Sequence, residues 1–404
     1  MDQILNPKSI PQLHCGYYLY NNRIYIDRDE ILSTMLINED FNGEFRFIFN
    51  DDVYSKINWQ EEPTQSLREL YRERAQQLRD TYDYLILSYS GGSDSQEILG
   101  VFLEEGIFID EIQIVHHSKA INKLDKSIMM KDTSLQMLLE YELTAIPQLK
   151  VFRDRSPLTK INPIDVSDYL VTDILSNHYS FFGLKKSAIN ATFLTQQAPH
   201  SRNFFQQHHN NKTLADKKNA CFIRGIEKPS LRYIDGSLRF MFTDVSMHTV
   251  RMIQMKNIDE IYTIENFFWT RDCPFIPVKQ SHVIKQALET DPSFFARFMR
   301  NQEVSSNHVR NNLSGQPPEQ NFKREYNKYI YKHWHEGLFL APKHSHDSPD
   351  IKLMNVLERE NTIRDALYEQ NSYFQNKFKQ IKRKMYFNKS IISKHYDLGP
   401  LILR

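Results

Sequence analysis

Between Tyr82 and Gly106 the apolar pattern of the chain changes period within a few residues. "YDYLILSY" is a nearly unbroken apolar run, the pattern of a strand covered on both faces inside a parallel sheet. After "SGGSDS", residues Ile98, Leu99, Phe102 and Leu103 recur at helical spacing, and Gly106 offers a C-terminal stop. "DEIQIVHH" then supplies a second strand about 25 residues after the first, the length of a βαβ unit with a right-handed crossover.

Upstream, "CGYYLYNNRIYID" alternates around an Asn-Asn turn and predicts a β-hairpin, with "GEFRFIFN" as a further strand. "TQSLRELYRERAQQLRDTY" places Leu67, Leu70, Tyr71, Ala75 and Leu78 on one helical face and delivers the chain into the apolar strand. Downstream, "TSLQMLLEYEL" and "DVSDYLVTDIL" predict helices, "LKVFR" and "ACFIRGIE" strands, and "LRYIDGSLRFMFTD" a hairpin on an Asp-Gly turn. From about Pro277 the pattern is mostly helical, through "VKQSHVIKQALE", "EYNKYIYKHWHEG" and "KLMNVLERENTIRDALYEQNSYF", with "NNLSGQPPEQN" as an exposed loop. No repeat of solenoid period occurs. The expected fold is α/β, a doubly wound, mainly parallel sheet over residues 81–276. A small β-rich region with a lead-in helix precedes it over residues 1–80, and a helical region follows over residues 277–404.

Composition narrows the classes of function. With 51 Lys and Arg against 50 Asp and Glu, the net charge of +1 creates no global field to attract DNA, RNA or a membrane, so any nucleic-acid contact must come from a local patch. No stretch has the length of a membrane span, and the first residues lack the layout of a signal peptide, so the cytoplasm is the expected location. Cys15, Cys221 and Cys273 stand far apart, which leaves no CxxC pair for zinc, an iron–sulfur cluster or a redox disulfide. Each is expected to be a packed thiol.

The "SGGSDS" turn carries the chemistry. A turn of small polar residues between a buried parallel strand and its helix aims unpaired N–H groups at the carboxyl edge of the sheet, where an anion is favoured. Gly91 and Gly92 permit close approach, and Ser90, Ser93 and Ser95 add hydroxyl donors. The alternative is a well-capped helix after an ordinary loop, because Ser93 with Gln96, or Asp94 with Glu97, fits a capping box. Asp94 beside a phosphate nest would repel its ligand unless a divalent cation lay between them, so the turn asks for a metal–polyphosphate. The Walker pattern GxxxxGK[ST] and the dinucleotide pattern GxGxxG are absent at this turn.

In its strand–turn–helix setting, "LSYSGGSDS" resembles the SGGxDS signature of the PP-loop ATP pyrophosphatases, over about residues 81–245. That resemblance implies a loop that holds the β- and γ-phosphates of ATP while a substrate oxygen attacks the α-phosphorus, giving an adenylated intermediate and pyrophosphate. It further implies that Ser90, Gly91, Gly92, Ser93, Asp94 and Ser95 form the pyrophosphate cradle, with Asp94 near Mg²⁺, and that Val115, His116 and His117 lie close to the adenine. The wider layout, including "NWQEEP" and "GIEKP", is similar to bacteriophage-encoded asparagine-synthase-like PP-loop proteins, which for a phage protein would mean the host cytoplasm. Met1 is followed by Asp2 rather than by the glutaminase Cys of asparagine synthetase, so free ammonia or an amine-bearing substrate is the expected nitrogen source. Members of the superfamily that reduce or thiolate their substrates would need a reactive Cys motif that this sequence lacks.

A second half of the site comes from "FIRGIEKPS". It ends a predicted strand with Arg224, Gly225, Glu227 and Lys228, which could emerge at the same carboxyl edge, and Lys228 or Arg224 is the candidate cation for the α-phosphate. The alternative is a solvated strand end with a Glu–Lys pair. In "FFWTRDCPFIPVKQSH", Arg271, Asp272 and Lys279 stand among aromatics, which suits a pocket or an interdomain core with a charged rim. Asp272 is the candidate second Mg²⁺ ligand or general base. His333 with His335, and His344 with His346, form HxH pairs that suit a transition metal if they face each other and ordinary surface otherwise. Lys377, Lys379, Lys382, Arg383, Lys384, Lys389 and Lys394, interleaved with aromatics, either track a nucleic-acid backbone or form a basic helix surface. The expected partners are ATP, Mg²⁺ and an unidentified acceptor, with nucleic acid as the further candidate and no membrane. A module that binds nucleotide or nucleic acid without turnover is the competing reading.

Overall fold

A computed structural model of the chain describes residues 16–25, 45–116, 141–165, 167–168, 219–225, 227–244, 262–310, 322–334 and 392–403. The first strands, β1 (Tyr17–Tyr20), β2 (Arg23–Tyr25) and β3 (Phe45–Ile48), form an antiparallel sheet in the order β2-β1-β3. Asn21 and Asn22, at φ 47° and 62°, make the tight turn expected of Asn-Asn, because asparagine tolerates the left-handed region that a two-residue hairpin needs.

The short helix α1 (Asp51–Tyr54) leads to α2 (Leu67–Thr81), which begins at a capping box. The Ser66 side chain accepts from Glu69 N while the Glu69 carboxylate accepts from Ser66 N. Leu70, Tyr71, Ala75 and Leu78 are buried along one face, as their spacing predicts.

β4 (Tyr84–Ser88), β5 (Glu111–His116), β6 (Lys160–Asp165), β7 (Ala220–Arg224) and β10 (Tyr262–Asn266) form one parallel sheet in the order β10-β7-β4-β5-β6. Leu85, Ile86 and Leu87 have no exposed surface, which is why the central strand is apolar at successive positions rather than alternate ones. Chain order runs outward from β4 through β5 to β6, then returns to the other side through β7 and β10, an arrangement compatible with a doubly wound α/β fold. Helix α3 (Ser93–Glu104) follows β4 and packs on α2. Its end is marked by Gly106 at φ +66°.

"LKVFR" departs from expectation. It lies in helix α4 (Ile146–Arg155), which follows a π-helical turn over Tyr141–Ala145 and starts with Pro147 in its first turn. Leu149 and Phe152, three apart, are its buried residues, whereas Val151 is exposed. That spacing belongs to a helix face, and a five-residue apolar run is too short to distinguish it from a strand. Helix α5 (Phe275–Thr290) and helix α6 (Pro292–Arg310) follow the helical pattern expected there, and α5 packs on α2. "NNLSGQPPEQN" and "KLMNVLERENTIRDALYEQNSYF" lie outside the described residues, as do most of "TSLQMLLEYEL" and "DVSDYLVTDIL". Among its described residues, "EYNKYIYKHWHEG" is helical only at its start. A 3₁₀ turn over Lys323–Tyr326 runs into α7 (Asn327–Ile330), and Tyr331 leaves the helix in extended conformation.

The Asp-Gly hairpin forms as predicted, β8 (Ser230–Ile234) to β9 (Ser237–Met241), with Asp235 and Gly236 both at positive φ. β11 (Tyr396–Pro400) adds to β9 to complete a third sheet, β11-β9-β8. Tyr54, Trp59, Phe240, Phe242, Trp269 and Tyr396 fuse that sheet with the N-terminal region. Phe242 lies 4.6 Å from Tyr54 and 5.0 Å from Trp269, and Trp59 stacks on Tyr396 at 4.6 Å. Among the described residues no helix is long and apolar enough to cross a membrane.

The outer strand β10 is tied to α2 by a buried charge pair. Arg74, fully buried, donates to Glu265 Oε2 at 2.9 Å and to the Asn266 carbonyl at 2.8 Å, while the Tyr82 hydroxyl donates to Glu265 Oε1 at 2.7 Å. Arg74→Met removes the cation and leaves a buried carboxylate without it, so it should lower stability by about 3 kcal/mol. Urea denaturation should show the midpoint falling at unchanged slope.

Candidate active site

The strand order reverses between β4 and β7, and in a sheet of this kind the crevice for ligands opens outside the carboxyl ends of those two strands. The loops that meet there are the ones after Ser88 and after Arg224. Tyr89 N still bonds to the Gln113 carbonyl at 2.9 Å, and the chain then turns through Ser90, Gly91 and Gly92 into α3.

Its own serines knit this turn together. Ser90 N donates to Ser95 Oγ at 3.3 Å, Gly92 N to Ser90 Oγ at 3.2 Å, and Ser95 Oγ to the Gly92 carbonyl at 3.1 Å. Gly91 sits at φ +81°, and a Cβ there would lie 2.9 Å from that of Ala145, so both backbone conformation and space require glycine.

Neither capping box forms. The N-cap is Gly92, with no side-chain hydrogen bond to the first turn, and Gln96 N to the Gly92 carbonyl at 2.9 Å is the first helical bond. Gln96 instead accepts from the Tyr89 hydroxyl at 2.6 Å, and Glu97 from His333 N at 2.7 Å. The amides of Ser93, Asp94 and Ser95 therefore open the helix without a side-chain cap, the condition under which a helix start attracts an anion.

The second loop presses on the first. A Cβ on Gly225 would lie 2.8 Å from Asp94 Cβ and 2.9 Å from its carbonyl carbon, so this glycine lets the two loops touch. Lys228, 7% exposed, donates from Nζ to Asp94 Oδ1 at 2.7 Å. The predicted neighbours Gly225, Lys228 and Asp94 are thus in contact. Arg224 ends β7 half-buried, with its carbonyl accepting from Phe267 N at 2.9 Å. His116 ends β5, its ring stacked on Tyr141 at 4.5 Å.

Asp272 stands apart. Its Oδ2 is 3.8 Å from Arg74 Nη1 and its amide donates to Thr270 Oγ1, and no hydrogen bond or ion pair among the described residues joins it to the turn. The aromatic run beside it is core rather than the wall of a pocket: Phe267, Phe268 and Trp269 are at most 1% exposed, with Arg271 paired to Asp52 and Lys279 to Glu62 at the rim. Of the basic C-terminal residues, Lys394 pairs with Asp51 at 3.3 Å; Lys377 to Lys389 lie outside the described residues, as do Cys15, His117, His335, His344 and His346.

Tyr331 is the site residue that sequence reasoning missed. Its hydroxyl donates to Asp94 Oδ1 at 2.6 Å, and Lys228 Nζ lies 5.4 Å from its ring centroid. Burial, followed by the charge of Asp94, raises the hydroxyl well above its ordinary pKa, so it remains a donor. Tyr331 belongs by pattern to a polar helical stretch, 237 positions from Asp94, and nothing local sets it apart.

Neither a family model nor a curated protein matches this chain. Among the described residues no cluster of three or more His, Cys, Asp or Glu could by itself hold a metal.

Beyond Tyr331, the chain lies across the outer face of α3. Lys332 Nζ donates to Glu104 at 2.6 Å, and His333 Nε2 is 2.8 Å from Glu104. The imidazole rests on Gly100, where any Cβ would collide with it. Burial pulls the His333 pKa down, but the carboxylates of Glu97 and Glu104 outweigh burial and raise it overall. Because the native value is raised, its contribution to stability is complete below about pH 6.5 and is lost as pH rises through the native pKa. The difference in melting temperature between wild type and His333→Gln should accordingly be full in mild acid and shrink toward alkaline pH. A constant difference would contradict the assignment.

Proposed function

We propose that the protein is an ATP-dependent enzyme of the PP-loop kind that adenylates a substrate oxygen with release of pyrophosphate, after which an amine or ammonia displaces AMP. The observation that carries this reading is the uncapped "SGGSDS" turn, seated where the strand order reverses and faced by Lys228. Amides of Ser93, Asp94 and Ser95, with the hydroxyls of Ser90, Ser93 and Ser95, would hold the β- and γ-phosphates.

The residues present fit magnesium. Mg²⁺ keeps most of its waters and is bound through one or two carboxylates and the phosphates of its substrate, rather than by a protein cage, so a single carboxylate at the mouth of an uncapped helix is sufficient. Asp94, its side chain 30% exposed, would be that ligand. When bound, the ion would neutralise phosphate charge.

Lys228 is the proposed cation for charge that develops at the α-phosphate, with Arg224 as a second from the same strand end. Gly225 would seat the Lys228 loop against Asp94 beside the phosphates, and His116 would border the adenine. Asp272, held by Arg74 and Thr270, has no role in this reading. Adenylyl transfer of this kind works by position and charge, which agrees with a site that needs no serine or cysteine nucleophile.

Calorimetry with ATP and MgCl₂ tests the binding half. Wild type should bind, and Asp94→Asn and Gly91→Val should each weaken binding about tenfold or more, the first by removing a charged ligand and the second by collision with Ala145. Affinity unchanged in both variants would refute the site. Chemistry is read with α-labelled ATP and cell extract: labelled AMP with pyrophosphate supports adenylyl transfer, ADP with phosphate contradicts it, and binding with no product favours the module without turnover.

A further inference from the structure

Asp94 meets its neighbours with one oxygen only. Oδ1 accepts from both Lys228 Nζ at 2.7 Å and the Tyr331 hydroxyl at 2.6 Å, and among the described residues no hydrogen bond reaches Oδ2. Two donors from different directions fix a carboxylate far more firmly than one, because rotation about the Cβ–Cγ bond would break both contacts. We propose that Tyr331 is a positioning residue for the metal site: with Lys228 it pins Oδ1 of Asp94 and so presents Oδ2 to a divalent cation. This inference rests on the reading of Asp94 as the magnesium ligand.

Tyr331 is suited to the task by how little it can move. It follows the last turn of α7, its amide bonded to the Asn327 carbonyl at 2.9 Å, and the preceding Ile330 carbonyl accepts from the Tyr71 hydroxyl at 3.1 Å. Tyr71 is itself held by Gln280 of α5 at 2.8 Å. The Tyr331 ring stacks on Phe268 at 5.2 Å, and the next two residues are fastened to Glu97 and Glu104 of α3. Asp94, Glu97 and Glu104 all belong to α3, so the segment that delivers the hydroxyl is tied to the same helix whose first turn holds the carboxylate. The helical C-terminal region thereby contributes to the metal–nucleotide site, although its sequence carries no phosphate-binding motif.

Tyr331→Phe deletes the hydroxyl and keeps the ring on Phe268, so the fold is expected to survive. Binding of ATP is followed by calorimetry over a magnesium series and again in EDTA, with the unfolding midpoint as a control. The expected result is a rise of about tenfold in the magnesium concentration for half-maximal tightening, with affinity in EDTA and the midpoint near wild type. In an Asp94→Asn background the same change should have no further effect on magnesium dependence.

An unaltered magnesium dependence in Tyr331→Phe would overturn the proposal. So would an equal loss of affinity in EDTA, which would mark the hydroxyl as part of the fold or of the nucleotide contact. If wild type shows no magnesium-dependent binding, the nucleotide reading itself fails, and the inference falls with it. Failure confined to the variant leaves the nucleotide reading standing.

Discussion

An ammonium taken almost wholly out of water must find a carboxylate, and in this protein Lys228 finds Asp94. The two are 134 positions apart, and only the reversal of strand order between β4 and β7 brings their loops to one edge of the sheet. Gly225 then has to be glycine for the loops to close to contact. The sheet topology, the loop contact and the charge pair are therefore one constraint seen at three scales. Tyr331 adds a fourth element from the end of the helical region and makes the carboxylate the meeting point of three parts of the chain.

Most of the frame was legible because local chemistry agreed with global position. β4 is apolar at consecutive residues since both faces of a central strand are covered, and the Asn-Asn and Asp-Gly turns specify their hairpins through positive φ. The strands that were not foreseen carry few apolar residues in sequence, "KINPID", "YTIEN" and "YDLGP". β6 carries Pro163 and exposed positions, which an outer strand tolerates because one side of its backbone needs no partner. β10 is likewise outermost, and β11 is a short strand with a bulge against β9. "LKVFR" failed for a different reason, since Leu149 and Phe152 fit a helix face and an apolar run equally well.

The candidate site was legible to the same extent. The turn and the "GIEKP" loop were found because small residues and charges cluster where an apolar strand stops. Tyr331 was hidden, since a tyrosine within a polar helical pattern looks ordinary until the fold shows what its hydroxyl touches. Asp272 was named because a carboxylate among aromatics suggested chemistry, and the fold places it beside Arg74, with no described hydrogen bond or ion pair to the turn.

The aromatic cluster has a consequence for how the molecule is made. Tyr396 donates to Asp51 across 345 positions, and its ring covers Trp59, so β11 and the segment around α1 depend on each other. Contacts this distant along the polymer slow the search for the native state. During synthesis, the surface formed by Tyr54, Trp59 and Phe242 waits uncovered until the ribosome has delivered β11, a window in which a chaperone would shield it from aggregation.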